Sequence, residues 1–228
     1  GERPVRGAGR RGRELLMEAL GRGRIGRDPF AGATHGAILR SALLSLEACT
    51  RCGRCVAVCP ATAAGAALSP MRVVQTLARR AASIPPEEVW ACTACGACTA
   101  ECPVFVDPLR LVVELRRGAV ESGEVAPSVA RALEALYAQG NPSGLSRRQR
   151  ADWCRDLRVK VLQPEEPADL LDWVGCAGAY DPAGQAIARA VVTLLQQAEV
   201  SFAILGPRER CSGEPARRLG EEGCFQHL

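Results

Sequence analysis

The sequence of 228 residues is poor in lysine, in aromatic residues and in long apolar runs. Lys160 is its only lysine, so nearly all positive charge is arginine, and the formal net charge is only +4. Aromatic residues, at 4%, are too few for a platform on which single-stranded bases stack. We therefore expect no nucleic-acid partner. No apolar run reaches the roughly 18 residues of a membrane helix, so we expect no membrane span in this sequence.

Three further features are missing. The letters G-x-G-x-x-G occur at residues 21–26, but no strand precedes them and arginines surround them, so they do not indicate a dinucleotide site. No residue is an obvious acid–base catalyst, and we assign none. Nothing resembles an export signal, so we expect a reducing compartment, the cytoplasm.

What the sequence does contain is cysteine, and eight of the 12 cysteines fall in two copies of one pattern. The pattern is C-x-x-C-x-x-C-x-x-x-C-P, and its copies occupy residues 49–60 and 92–103. The bacterial iron–sulfur run has this spacing, and its fourth cysteine ligates the other cluster. By this rule one 4Fe–4S cluster is held by Cys49, Cys52, Cys55 and Cys102. A second 4Fe–4S cluster is held by Cys92, Cys95, Cys98 and Cys59.

Disulfides and zinc are the alternatives for these cysteines. Disulfides fit poorly, because the cysteines fall in metal-type triplets and no export signal is recognisable. Zinc sites use paired C-x-x-C knuckles, which would leave the third and fourth cysteine of each copy unexplained.

The N-terminal region is basic. Residues 1–27 contain eight arginines and three glutamates, with many glycines. Such a segment is typical of a disordered arm, or of a basic strip against anionic lipid or beside a membrane segment. We take residues 1–36 as this arm.

The cysteine copies are joined by predicted helices. An amphipathic helix is expected over residues 37–47, and another begins after Ser69 as the cap, with Pro70 in its first turn. Its predicted apolar face consists of Met71, Val74, Leu77, Ala78 and Ala81. A further helix is expected over residues 109–117. We therefore expect an all-helical dicluster domain over residues 37–118.

The sequence after residue 118 has a different pattern. A helical linker is expected over residues 119–168, including a helix at 128–139. A short buried strand at 170–175, a helix capped by Asp181 and a second strand at 200–205 predict a βαβ-type unit with parallel pairing. Cys176 and Cys211 follow the two strands, where α/β domains place their sites. The predicted class is α+β, with a partial α/β domain over residues 169–228.

These motifs resemble the helical ferredoxin and cysteine-rich domain of heterodisulfide-reductase-type iron–sulfur oxidoreductases. The likeness is strongest to the membrane-associated proteins that pass electrons from electron-transfer flavoprotein to quinone. The segments that carry it are Leu68-Ser69-Pro70, Trp90 to Cys98, Gly140-Asn141-Pro142, Gly175 to Gly178 and Pro215 to Gly220.

The resemblance implies an electron-transfer subunit of a redox complex. Its donor would be a flavoprotein, and its acceptor a disulfide or a quinone reached through a membrane domain or subunit. The chain would then lie at the inner face of the membrane. An alternative is the iron–sulfur subunit of a glycolate, lactate or glycerol-phosphate dehydrogenase with a separate flavin subunit. A third hypothesis, an iron–sulfur regulator, lacks a helix-turn-helix signal.

The sequence also departs from that family. The expected Cys-Cys-Gly appears as Cys211-Ser212-Gly213, and a hydroxyl is a much poorer iron ligand than a thiolate. Cys176 and Cys211 are therefore a candidate third iron–sulfur site that lacks ligands. Cys154 and Cys224 are interpreted as small buried apolar residues.

Overall fold

The computed structural model describes residues 45–79, 84–164 and 166–228. The arm and most of the predicted helix at 37–47 lie outside these ranges. The chain divides into two compact units, one ending at Glu124 and the other running over Val125–Leu228. Among the described residues, no helix has the length and apolar character needed to cross a membrane.

The described part of the first unit is helical. Its helices are α1 (Arg54–Ala57), α2 (Pro60–Ala63), α3 (Pro70–Arg79), α4 (Pro86–Trp90), α5 (Ala97–Ala100) and α6 (Pro108–Glu121). The core consists of buried aliphatic side chains from α3, α4, α6 and the segments between them, chiefly Leu46, Leu68, Val73, Val74, Leu77, Val89, Val106, Leu111 and Val112. This core lies between the two cysteine copies and fixes their positions.

Helix α3 begins where the sequence predicted. The Ser69 hydroxyl accepts a hydrogen bond from the Arg72 amide at 3.3 Å, and Pro70 opens the helix. The carboxylate of Glu88, 2% exposed, adds a second cap by accepting the Ser69 amide and pairing with Arg72. The buried face includes Val73 and excludes Ala78, which is exposed; Ala81 lies outside the described residues.

The second unit combines helices with a small sheet. Its elements are α7 (Pro127–Gln139), a 3₁₀ helix (Arg147–Cys154), β1 (Leu170–Asp172), α8 (Gly175–Tyr180), α9 (Pro182–Gln197), β2 (Phe202–Ile204), a 3₁₀ turn (Gly206–Arg208), α10 (Glu214–Leu219) and α11 (Glu222–His227). The strands pair in parallel, with Leu170 opposite Phe202. Asp181 caps α9 by accepting the Gly184 amide at 2.8 Å. The predicted crossover is therefore present.

One feature of this unit differs from the sequence-based expectation. The first strand is not buried, because Leu170 and Leu171 are 41% and 45% exposed. Within the segment expected as a helical linker, Trp153 and Cys154 share a core with Val192, Phe202 and Ile204 of α9 and β2.

Candidate iron–sulfur centres

The two cysteine copies adopt the same backbone path. Gly53 and Gly96 precede the short helices α1 and α5 with φ of 79° and 78°, a left-handed conformation that glycine adopts without steric cost. Arg51 and Ala94, one residue before the second cysteine of each copy, are left-handed too, at 58° and 54°. Each loop therefore winds tightly enough to turn three cysteines toward one point.

The first such point is a cavity lined by cysteines of both copies. Three of its cysteines come from the first copy and one from the second, namely Cys49, Cys52, Cys55 and Cys102. Apolar side chains complete the wall, including Met71 and Val74 of α3. The fold thus brings Cys102 to the first triplet, although 47 positions separate it from Cys55 in the sequence.

A second cavity mirrors the first. It is lined by the first three cysteines of the second copy and the fourth of the first copy, namely Cys92, Cys95, Cys98 and Cys59. Leu68, Pro70 and Leu109 contribute to its wall. Among the described residues, no three His, Cys, Asp or Glu side chains gather tightly enough for a single metal ion. The four cysteines of each set instead line the wall of a cavity.

The chemistry of these thiols fits iron–sulfur clusters. Burial raises the pKa of the Cys98 thiol to about 11. Burial also raises the pKa of Cys55, and the neighbouring Cys49, Cys52 and Cys102 raise it further. Such thiols keep their protons unless a metal supplies positive charge, so metal binding must release protons. Backbone amides of Ala94 and Val106 point at the sulfurs of Cys92 and Cys102, at 3.4 and 3.2 Å.

Arg116 lies close to the second cavity and was not predicted from the sequence. It is 4% exposed and donates from its guanidinium to the carbonyl oxygens of Val89 and Cys92, at 2.9 and 2.6 Å. It also lies 5.1 Å from the centre of the Trp90 ring. Burial lowers the pKa of Arg116, and the neighbouring Cys92 opposes that change. A buried cation therefore braces the start of the second cysteine copy.

The second unit brings Cys176 and Cys211 together, as their positions after the strands suggested. The two side chains lie close enough for each to change the pKa of the other. Their interaction lowers the pKa of Cys211 to about 6 and raises that of Cys176. Ser212, which occupies the place of the missing cysteine, is exposed. Cys154 and Cys224 are buried.

A buried ion pair supports these two cysteines. Arg150 and Glu209 are 3% and 2% exposed and pair with each other, while Arg150 also approaches the Cys176 sulfur at 3.5 Å. Burial disfavours the charged guanidinium, but Glu209 and Cys176 outweigh this effect and raise the pKa of Arg150. The Glu209 carboxylate also accepts the Gly175 amide at 2.8 Å, next to Cys176.

The loop that contains Asn141 anchors the other cysteine of the pair. The Asn141 side chain is fully buried, donating to the Leu145 carbonyl at 2.8 Å and accepting its amide at 3.2 Å. The neighbouring Gly140 carbonyl accepts the Cys211 amide at 2.9 Å. The Gly140-Asn141-Pro142 motif therefore acts at this site from 70 positions away in the sequence.

Residues 42–103, which hold both cysteine copies, match the model of the 4Fe-4S dicluster domain family. This part of the chain is similar to that domain and is called the dicluster domain below. The chain accordingly binds two 4Fe–4S clusters.

The chain also resembles curated proteins. The chain is 36% identical over 222 residues to a "probable membrane-anchored ferredoxin" of Chromohalobacter salexigens. It is 34% identical over 248 residues to a "probable iron-sulfur-binding oxidoreductase" of Bacillus subtilis. It is 32% identical over 233 residues to the EtfAB:quinone oxidoreductase of Syntrophomonas wolfei.

These similarities cover 82–83% of the chain but only 33–35% of each relative. The chain thus spans about a third of the length of the relatives it matches. No solved structure shows a significant match.

Proposed function

We propose that the chain is the iron–sulfur electron-transfer part of an oxidoreductase that carries electrons from a flavoprotein to a membrane quinone or a disulfide. The observation that carries this proposal is the pair of cavities, each walled by four cysteines drawn from both copies. A 4Fe–4S cluster accepts and releases single electrons, and its potential depends on hydrogen bonds to sulfur, charge and exposure. The choice of donor and acceptor rests on a relative named EtfAB:quinone oxidoreductase.

We assign the ligands in the crossed arrangement. One cluster would be held by Cys49, Cys52, Cys55 and Cys102, and the other by Cys92, Cys95, Cys98 and Cys59, because these sets line the two cavities. The chain's own contribution is to hold the thiols, to aim the Ala94 and Val106 amides at sulfur and to place Arg116 beside Cys92.

The function is tested by electron delivery. Protein reconstituted with iron and sulfide under anaerobic conditions is mixed with reduced electron-transfer flavoprotein, and cluster absorbance is followed by stopped flow before and after addition of a short-chain quinone. We expect bleaching by the flavoprotein and recovery with the quinone. Bleaching by a glycolate, lactate or glycerol-phosphate flavin dehydrogenase instead would contradict the proposed donor.

We further propose that residues 169–228 belong to a partial cysteine-rich domain whose Cys176 and Cys211 are candidate ligands of a third iron–sulfur centre. The support is the proximity of their side chains, which follow the two strands in the sequence. Two thiolates fall short of four, so further ligands must come from elsewhere. An iron count of about eight that is unchanged by Cys176→Ser would rule out this site, given about four irons per cluster.

We also propose a position at the cytoplasmic face of the membrane. A relative is named a membrane-anchored ferredoxin, and the arginine-rich arm suits anionic lipid. Neutralising Arg10, Arg11 and Arg13 should weaken binding to anionic liposomes without changing cluster absorbance. Unchanged binding would contradict a lipid-binding role for the arm.

A further inference from the structure

The two cavities share one ligand pattern, but the side chains around them differ in charge. Arg51 lines the first cavity and is exposed, whereas its counterpart in the second copy, Ala94, is 7% exposed. Arg54, exposed beside Cys55, corresponds to Ala97 in the second copy. The first cysteine copy therefore has two exposed cations at positions where the second has alanines, and one of them lines the first cavity.

Cys102 of the second copy lines the first cavity, and an aromatic residue follows Cys102 closely in the sequence. Phe105, three residues after Cys102, is 90% exposed, and its neighbours Val104 and Val106 line the first cavity. The corresponding residue of the first copy is Thr62, whose hydroxyl donates inward to the Leu68 carbonyl at 2.7 Å. Arginines and phenylalanine thus collect at one cavity and small or inward-facing side chains at the other.

The turn at Phe105 requires a left-handed backbone conformation, but it does not require a phenylalanine side chain. Its φ of 58° is left-handed, a conformation that is uncommon for bulky residues. The turn lets the Val106 amide reach the Cys102 sulfur at 3.2 Å. Glycine would make this turn without strain. A phenyl ring that is exposed to solvent on a left-handed residue contributes little to the fold and is free to contact a partner.

We propose that Phe105, Arg51 and Arg54 form the docking surface by which an acidic redox protein reaches the first cavity. This inference rests on the proposed electron-transfer function and adds the place and the charge of the partner, a flavoprotein with carboxylates around its cofactor. Aromatic residues and arginine are enriched at protein interfaces, and complementary charge speeds encounter.

The first test separates docking from folding by Phe105→Gly in the cluster-loaded full chain. Binding to purified electron-transfer flavoprotein is measured by biolayer interferometry. Glycine relieves the left-handed backbone, so iron content and the unfolding temperature should hold or rise, while affinity falls about tenfold, as for an aromatic interface anchor. Unchanged affinity, or a loss of iron or stability, would overturn the docking role of Phe105.

The second test addresses charge with the double variant Arg51→Glu, Arg54→Glu. Its association with the flavoprotein should slow by about tenfold at low salt and approach the wild-type rate at high salt, where charges are screened. Arg79→Glu is the matched control, because Arg79 is exposed at the end of α3 and lines neither cavity. An equal effect of the control, or no effect of the double variant, would overturn the surface.

A third test does not depend on the identity of the donor. Reduced protein is oxidised by anionic ferricyanide or by cationic hexaammineruthenium(III), and the two rates are compared. Charge reversal at Arg51 and Arg54 should slow the first reaction and speed the second. If the flavoprotein fails to bind wild-type protein but this reversal is seen, the proposed donor fails and the docking surface stands. If both rates are unchanged, the surface fails whatever the donor is.

Discussion

Removing the Glu209 carboxylate should be among the most damaging single changes in the second unit. Glu209→Leu would leave Arg150, which is 3% exposed, as an unpaired buried cation and would take away the acceptor of the Val174 and Gly175 amides. Breaking a buried pair in this way costs about 3–5 kcal/mol. For a domain of about 100 residues this lowers the unfolding temperature by roughly 12–40 °C, at 4–8 °C per kcal/mol.

The measurement is hydrogen exchange by mass spectrometry on the cluster-loaded chain, because it reports the two units separately. Slow-exchanging amides of residues 125–228 should lose protection in Glu209→Leu, while those of the dicluster domain keep it. The double variant Arg150→Met, Glu209→Leu removes both charges and should be more stable than Glu209→Leu alone. The stabilising role of the Arg150–Glu209 pair would be contradicted by a loss of unfolding free energy below about 1 kcal/mol in the single variant. Strictly additive losses in the double variant would contradict it as well.

Three further changes have defined outcomes. Gly213→Ala should destabilise the second unit, because a Cβ would lie 2.7 Å from the Phe225 ring and the φ of residue 213 is +76°. The same exchange experiment measures this, and the control Ser212→Ala should leave the stability of the unit unchanged. Arg116→Met should lower the reduction potential of one cluster only, measured by redox titration, because a buried cation stabilises the more negative reduced state; equal shifts of both would contradict this. Removing iron with a chelator should lower the unfolding temperature of the dicluster domain and leave that of the second unit unchanged, since metal binding and folding are coupled.

Local signals predicted several elements well. Helix α3 was predicted because Ser69 and Pro70 act within one turn, and the parallel pairing because a helix separates the two strands. Exposure of the first strand was not predicted. Leu170 and Leu171 have the composition of buried residues, and whether an apolar side chain is covered depends on what packs against it, which periodicity does not report.

The buried charges were the main omission. Arg116 follows Val112 by four residues and so lies on the apolar face of α6, a position that could have revealed it. Arg150 and Glu209 left no such signal, because each lies in a polar segment and becomes buried only through its partner 59 positions away. The spacing of the cysteines, by contrast, has direct geometric meaning, and the two sets that it predicted as cluster ligands are the sets that line the two cavities.

The most direct test of the account concerns the crossed ligation. Electron paramagnetic resonance spectra of the reduced protein are compared for Cys49→Ser, Cys102→Ser, Cys92→Ser and Cys59→Ser, each reconstituted in the same way. With crossed ligation, Cys102→Ser alters the same signal as Cys49→Ser, and Cys59→Ser alters the same signal as Cys92→Ser. If Cys102→Ser instead matches Cys92→Ser, each copy ligates its own cluster and the crossed arrangement is wrong.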